Sequence, residues 1–317
     1  MPDVPPPPNR LTLGQRVVAA FDPDGTLAQA IDAFEPRTGQ RDMALAVSDV
    51  LEAGGTLLAE AGTGTGKTLA YLIPAILSGQ RVLVSTGTKN LQEQIFFKDL
   101  PVLRDALGIA FRATYMKGRS NYLCLHRFDA AYDDPSPRPA ADHATLALLK
   151  EWAPQTETGD RAELEDVPDD LPLWRDVSAT QENCLGTECP QYDECHVTKM
   201  RQRAAESDVV IVNHHLLCAD AAVRQSGYGE VIPEYTFAIV DEAHQLEDVA
   251  TQYFGISVST FRLEDLMRDA SRALEAGGFG DPADGDAFRA SAGRIREAAR
   301  AFFTTLLTDR RGAQAWG

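Results

Sequence analysis

The chain has 317 residues, 44% hydrophobic and 24% charged, a balance that excludes a disordered chain and allows a substantial core in about two domains. Thirty basic against forty-seven acidic residues give a net charge of −17. That excludes a protein that coats nucleic acid over its whole surface by counterion release, so any such contact must be local. The opening "MPDVPPPPNR" has a proline run where a signal peptide needs a basic start and an apolar stretch, and no apolar run has the length to cross a bilayer. A cytoplasmic location with no membrane contact is the resulting expectation.

In chain order, the runs "GTLLAEAG" and "RVLVSTGT" flank a helical pattern, "GKTLAYLIPAILSG". This strand, helix, strand rhythm predicts a parallel sheet with a right-handed crossover. Two further runs, "SDVVIVNHH" and "YTFAIVDEAH", are continuous and β-branched, as strands buried on both faces are. Four strands of one α/β sheet are therefore expected. Roughly a hundred residues separate the second run from the third and hold four of the five cysteines. A stretch of that length is too long for a loop and predicts an inserted module. Its two ends differ in charge. Residues 111–127, "FRATYMKGRSNYLCLHR", are basic and include Phe111, Tyr115 and Tyr122, whereas Glu151 to Pro190 hold eleven acids and two arginines. The basic end can hold a nucleic-acid strand by charge and stacking, with Lys117 and Arg119 as backbone contacts, although surface ion pairs explain such residues nearly as well. The acidic end reads as a solvated face. After the last strand, "TFRLEDLMRDASRALEAGG" and "DAFRASAGRIREAARAFFTTLLTD" predict an antiparallel helix pair. There is no internal repeat.

Two motifs carry chemistry. In "AGTGTGKT", Gly62, Gly64 and Gly66 let the backbone wrap a phosphate chain at the positive end of the helix that follows. Lys67 is placed to neutralise the β- and γ-phosphates, and Thr68 to put its hydroxyl on Mg²⁺. In "FAIVDEAH", Asp241 is expected to hold the Mg²⁺ through water and Glu242 to orient or deprotonate the attacking water. His244 has no second histidine four residues on and is not a zinc-protease ligand. Asn213 and His214 close the third strand beside this site, where a hydrogen-bonded turn is as good a reading as a direct role. Cys184, Cys189 and Cys195 stand at C-x₄-C-x₅-C, with Cys124 sixty residues before the first. By spacing these four soft ligands suit zinc or an iron–sulfur cluster equally. Cys218 reads as a plain buried residue.

Taken together, "AEAGTGTGKT", "DEAH", "FEPRTGQRDMA", "STGTKNLQEQ", "YMKGRSNYLC" and "VIVNHHLL" resemble the DinG/YoaA branch of the XPD-like superfamily 2 iron–sulfur DNA helicases, over about residues 30 to 255. The resemblance implies a RecA-like ATP-binding domain in two parts, 1–118 and 206–255, an iron–sulfur module over 119–205, and the start of a helical arch domain over 256–317. It implies that Gln40 reads adenine, and that Cys124, Cys184, Cys189 and Cys195 ligate a [4Fe–4S] cluster. That cluster would staple an insertion too poor in apolar residues to fold alone and forming one wall of a single-stranded DNA channel. The implied activity is ATP-dependent 5′–3′ unwinding of tailed DNA, in repair or replication. The second motor domain's Q-x-x-G-R-x-x-R is not found, since "ASAGRIRE" has Ala290 and Glu297 at two of its positions. The chain is therefore expected to be the N-terminal part of a longer enzyme. Two other readings stay open: an ATP- and DNA-binding fragment without unwinding, and a P-loop ATPase with structural zinc.

Overall fold

The computed structural model describes residues 11–31, 34–62, 64–135, 137–164, 167–168, 171–227, 229–255, 263, 266–267, 270 and 282–313. Residues 1–253 form one compact unit and 254–317 a second.

The first unit begins with three helices, α1 (Leu13–Ala20), α2 (Thr26–Ala30) and α3 (Thr38–Ala53). Next come α4 (Lys67–Ser78), β1 (Val82–Thr86), α5 (Lys89–Gln94), a π-helical turn (Ile95–Asp99), α6 (Leu100–Leu107) and β2 (Ala113–Tyr115). The insertion holds α7 (Leu125–Asp133), α8 (Ala140–Trp152), the short α9 (Trp174–Val177) and α10 (His196–Ala205). The chain then returns to the sheet through β3 (Val209–Asn213), α11 (His214–Gln225), β4 (Phe237–Val240) and α12 (Leu246–Phe254). The strands lie in the order β2-β3-β1-β4, all parallel, with Val84 opposite both Ile211 and Ile239.

One face of the sheet is covered by α1, α3, α4 and α6, whose Leu13, Val17, Ala44, Leu72, Ile73 and Leu103 pack on Val82, Val84, Val209 and Ile211. On the other face Leu83, Val210 and Val212 meet Met116, Tyr122, Met200 and Leu216 from the insertion and α11. Two layers of helix around a parallel sheet, with alternate strand residues feeding alternate cores, is the expected α/β architecture.

Two expectations need correction. The run "GTLLAEAG" is not a strand, and residues 54–62 are irregular with Leu58 93% exposed. Among the described residues its backbone has no strand to pair with, because there β4 bonds only to β1 and a cavity of about 1020 Å³ is lined by both β4 and this segment. Nor is the insertion short of apolar residues. Leu123, Phe128, Leu146, Leu149, Leu173, Trp174 and Val177 form a core of their own, tied back by the indole of Trp174, which donates to the carbonyl of Ser120 at 2.8 Å.

In the second unit, residues 282–313 form one long helix, α13 (Pro282–Ala313). The first member of the expected helix pair lies almost wholly outside the described residues, so the pairing is not described.

Candidate nucleotide site

The helix α4 starts at Lys67 because Gly66, at φ +80°, turns the chain left-handed just before it, and Gly64 at φ +73° does the same two residues earlier. No side chain caps α4, so its first N–H groups remain available to an anion, as a phosphate site requires. Four side chains hold the loop through its carbonyls, Thr65 Oγ1 donating to Gly62 at 2.8 Å from within the loop itself. Lys67 Nζ donates to Ala61 at 3.1 Å, Gln40 Nε2 to Gly66 at 2.9 Å, and Arg37 Nη1 to Gly64.

The acidic pair comes from the end of β4, one strand over. Asp241 N–H donates to the carbonyl of Ser85 on β1 at 2.8 Å, and the Tyr71 hydroxyl donates to Asp241 Oδ2 at 3.1 Å. Glu242 has φ +53°, left-handed and without glycine's freedom, and its N–H donates to Asp241 Oδ1 at 3.0 Å. Such a backbone costs on the order of 1–3 kcal/mol and persists only where its surroundings fix it. The Glu242 carboxylate lies 3.3 Å from Lys67 Nζ and 3.4 Å from His244 Nδ1. Burial and the neighbouring Asp241 carboxylate push the Tyr71 hydroxyl well above its usual pKa, with Thr68 on the first turn of α4 acting the other way. Tyr71 therefore stays protonated and donates to Asp241. Gly62, Lys67, Tyr71, Asp241, Glu242 and His244 line the 1020 Å³ cavity together with Met43, Val47 and Leu51 of α3. A polar anchor beside an apolar wall is what a nucleotide needs.

Lys67, Asp241 and Glu242 thus meet, and Thr68 stands next to them. Gln40 is buried against the loop, and a Cβ on Gly66 would come within 2.1 Å of its amide. Sequence reasoning missed Arg37 and Tyr71. An arginine three residues before Gln40 and a tyrosine one helical turn after Lys67 were the available signals.

The basic end of the insertion differs from the expectation. Lys117 is 3% exposed, with its Nζ 2.7 Å from both Glu93 Oε1 and Asp160 Oδ2. Its N–H donates to the hydroxyl of the buried Tyr122 at 3.0 Å, and the Tyr115 hydroxyl donates to the same Asp160 carboxylate at 3.1 Å. Lys117 and Tyr122 held in this way are interior groups, with Tyr115 half-buried beside them. Arg119 is half-buried on a 3₁₀ turn (Arg119–Asn121), with the guanidinium of Arg201 as an electrostatic neighbour.

All five cysteines are unpaired. Burial raises the Cys124 thiol, a hydrogen bond with the Arg127 main chain acts the other way, and Cys195, Cys189 and Cys184 raise it further, so each lies within electrostatic reach of Cys124. Among the described residues no three His, Cys, Asp or Glu side chains meet closely enough to hold a metal ion.

A parallel sheet with an Asp-Glu pair at the end of β4, beside a glycine-rich phosphate loop that opens α4, defines a P-loop nucleotide-binding domain of the RecA-like class. The DEAD/DEAH box helicase family profile matches residues 40–122. The chain is 47% identical over 253 residues to a protein of Escherichia coli (strain K12) named ATP-dependent DNA helicase YoaA, covering 80% of this chain and 40% of that one. It is 38% identical over 261 residues to ATP-dependent helicase DinG of Mycobacterium tuberculosis (strain ATCC 25618 / H37Rv), covering 75% and 39%. Similarity extends to 3'-5' exonuclease DinG of Bacillus subtilis (strain 168), 34% identical over 255 residues and covering 79% and 27%. The chain belongs to the DinG/YoaA branch of the superfamily 2 helicases. It spans about 40% of the length of the helicase relatives it matches. No helix among the described residues is long and apolar enough to cross a membrane.

Proposed function

We propose that this chain is the first motor domain of an ATP-dependent DNA helicase that moves 5′ to 3′ on single-stranded DNA and carries a [4Fe–4S] cluster. The observation that carries the reading is the meeting of Lys67, Asp241 and Glu242 in the wall of a nucleotide-sized cavity, at the start of an uncapped helix. Lys67 exchanges its ion pair with Glu242 for the β- and γ-phosphates, which frees the carboxylate. Thr68 and Asp241 are the residues to hold Mg²⁺, which supplies charge neutralisation on the phosphates. Glu242 then accepts a proton from the water that attacks the γ-phosphorus, and ADP and phosphate leave. Gln40 would have to release Gly66 to reach adenine, so base selection and loop shape are linked in this reading.

The cluster ligands are Cys124, Cys184, Cys189 and Cys195, and the electrostatic reach of the other three to Cys124 supports that assignment. Arg119, not Lys117, is the residue left to touch the DNA backbone, with Arg201 beside it. Fluorescent-ATP binding with Mg²⁺ tests the nucleotide reading: Lys67→Ala is expected to abolish binding, and Glu242→Gln to keep it while hydrolysis is lost. Unchanged binding in Lys67→Ala refutes the site. Iron and sulfide assays on anaerobically purified protein test the cluster, and stoichiometric zinc without iron refutes it.

A further inference from the structure

His214 is the first residue of α11 and is fully buried, at 0% exposure. Its Nδ1 lies 2.7 Å from Ser85 Oγ, and its Nε2 closes no hydrogen bond among the described residues. A buried imidazole nitrogen left without a partner costs on the order of 1–3 kcal/mol, so an apolar residue would serve packing better. Position explains what packing does not. Ser85 is the residue whose carbonyl accepts the Asp241 N–H, and it stands opposite Val212 on one side and Val240 on the other. The ring therefore lies above the ends of three adjacent strands, against the main chain of Asp241 and Glu242. Burial lowers its pKa more than that main chain and Asp241 raise it, which leaves a neutral ring with one donor and one acceptor.

We propose that His214 is a positioning residue for the Asp241–Glu242 turn: Ser85 Oγ donates to its Nδ1, the Ser85 carbonyl in turn holds the Asp241 N–H, and Asp241 Oδ1 holds the N–H of the left-handed Glu242. Holding that backbone aims the Glu242 carboxylate at the water and the phosphate-binding lysine. The turn has a second brace of the same kind, because the Gln245 side chain presses on Gly87, where a Cβ would come within 2.1 Å of its amide oxygen. The first brace joins the DEAH turn to the end of β1 and the second joins it to the loop that follows, so Glu242 is held to both. The inference rests on the nucleotide reading given above and adds to it the residue that sets the geometry of the general base.

The test is ¹⁵N-edited imidazole NMR on the 317-residue chain with and without Mg²⁺ and a non-hydrolysable ATP analogue, the signal being assigned with His214→Gln. One neutral tautomer protonated on Nε2, displaced when the nucleotide binds, is expected. In turnover assays His214→Ala should lower kcat about tenfold with KM unchanged, a loss on the order of 1.4 kcal/mol of transition-state stabilisation. His214→Gln, which keeps a donor, should recover part of it. Nucleotide binding with an unmoved His214 signal, a tautomer protonated on Nδ1, or a His214→Ala kcat within twofold of the parent overturns the inference and leaves the nucleotide site standing. Failure of the unaltered chain to bind the nucleotide overturns both. If His214→Ala does not fold, the NMR signal of the unaltered chain and the His214→Gln kcat decide.

Discussion

Replacing Lys117 by Met separates two incompatible roles for that residue. At 2.7 Å each ion pair, to Glu93 and to Asp160, has a gross attraction of about 6 kcal/mol at an effective dielectric constant of about 20. Desolvation of three charges offsets most of that, so the net worth of the cluster is small. Removing only the cation is another matter, because Asp160 is 1% exposed and its carboxylate would be left buried with the Tyr115 hydroxyl as its side-chain donor. Loss of one partner from such a pair costs about 3–5 kcal/mol. With a urea slope of about 3 kcal/mol/M, the midpoint should fall by about 1–1.7 M. The buried Trp174 in the insertion supplies the fluorescence signal. Lys117→Met with Asp160→Asn should recover stability over Lys117→Met alone, since the orphaned charge is then gone. A midpoint shift below about 0.3 M, together with a salt slope of DNA binding reduced by about one unit, would refute the reasoning and return Lys117 to the DNA backbone.

Asp99, on the π-helical turn, has a buried Oδ2 with no partner, and burial raises its pKa to about 6 against the pull of Lys98. Its folded pKa exceeds the unfolded one, so stability from this group is present below about pH 4 and is lost as pH rises to about 6. Asp99→Asn should therefore stabilise the fold by about 1–2 kcal/mol at pH 7.5, allowing for partial exposure, and by little at pH 4. Equal urea-midpoint shifts at the two pH values would contradict this. Gly66→Ala places a Cβ 2.1 Å from the Gln40 amide at φ +80°, and should cost on the order of 1–3 kcal/mol and weaken ATP binding at least tenfold. Unchanged affinity by calorimetry would show that the loop is not held as described. Cys184→Ala should release iron while Trp174 fluorescence and its urea midpoint hold, because the core around Trp174 excludes the cysteine; collapse of both signals together would mean that the cluster does staple the whole insertion.

The strands β1, β3 and β4, the phosphate loop and the DEAH turn were legible in the sequence because their signals are local. A continuous β-branched run or a Gly-rich stretch before Lys-Thr carries its own structural reason. The role of Lys117 was not legible. Its partners sit at positions 93 and 160, on α5 and in the middle of the insertion, and nothing near "YMKGRS" announces them. The insertion's core escaped notice for a related cause. Its leucines and Trp174 are scattered among acids over about fifty residues and become a cluster only when α7, α8 and α9 fold on one another. His214 was visible as a residue but not as a contact, since its partner Ser85 lies on the neighbouring strand β1, 129 residues earlier in the chain.

The two departures on the other side of the sheet have one physical cause. All five residues of β1 and of β3 are buried, whereas β4 is equally apolar in sequence yet only partly buried. Among the described residues it is flanked on one edge alone, and the segment 54–62 has no strand to bond to across the cavity. A strand is half of a pair, and apolar sequence cannot supply the other half's N–H and C=O groups. The phosphate loop is consequently entered from irregular chain, and side chains do the holding that a ladder would do: Lys67 at Ala61, Arg37 at Gly64, Gln40 at Gly66. Lys67 and Gln40 are the same groups that the nucleotide reading sends to phosphate and adenine. Binding must then exchange loop carbonyls for ligand atoms, so the cost of releasing the loop is subtracted from the affinity. A change that orders residues 54–62 as a strand would fix the loop by backbone instead, free those side chains beforehand, and raise the affinity for ATP without touching it.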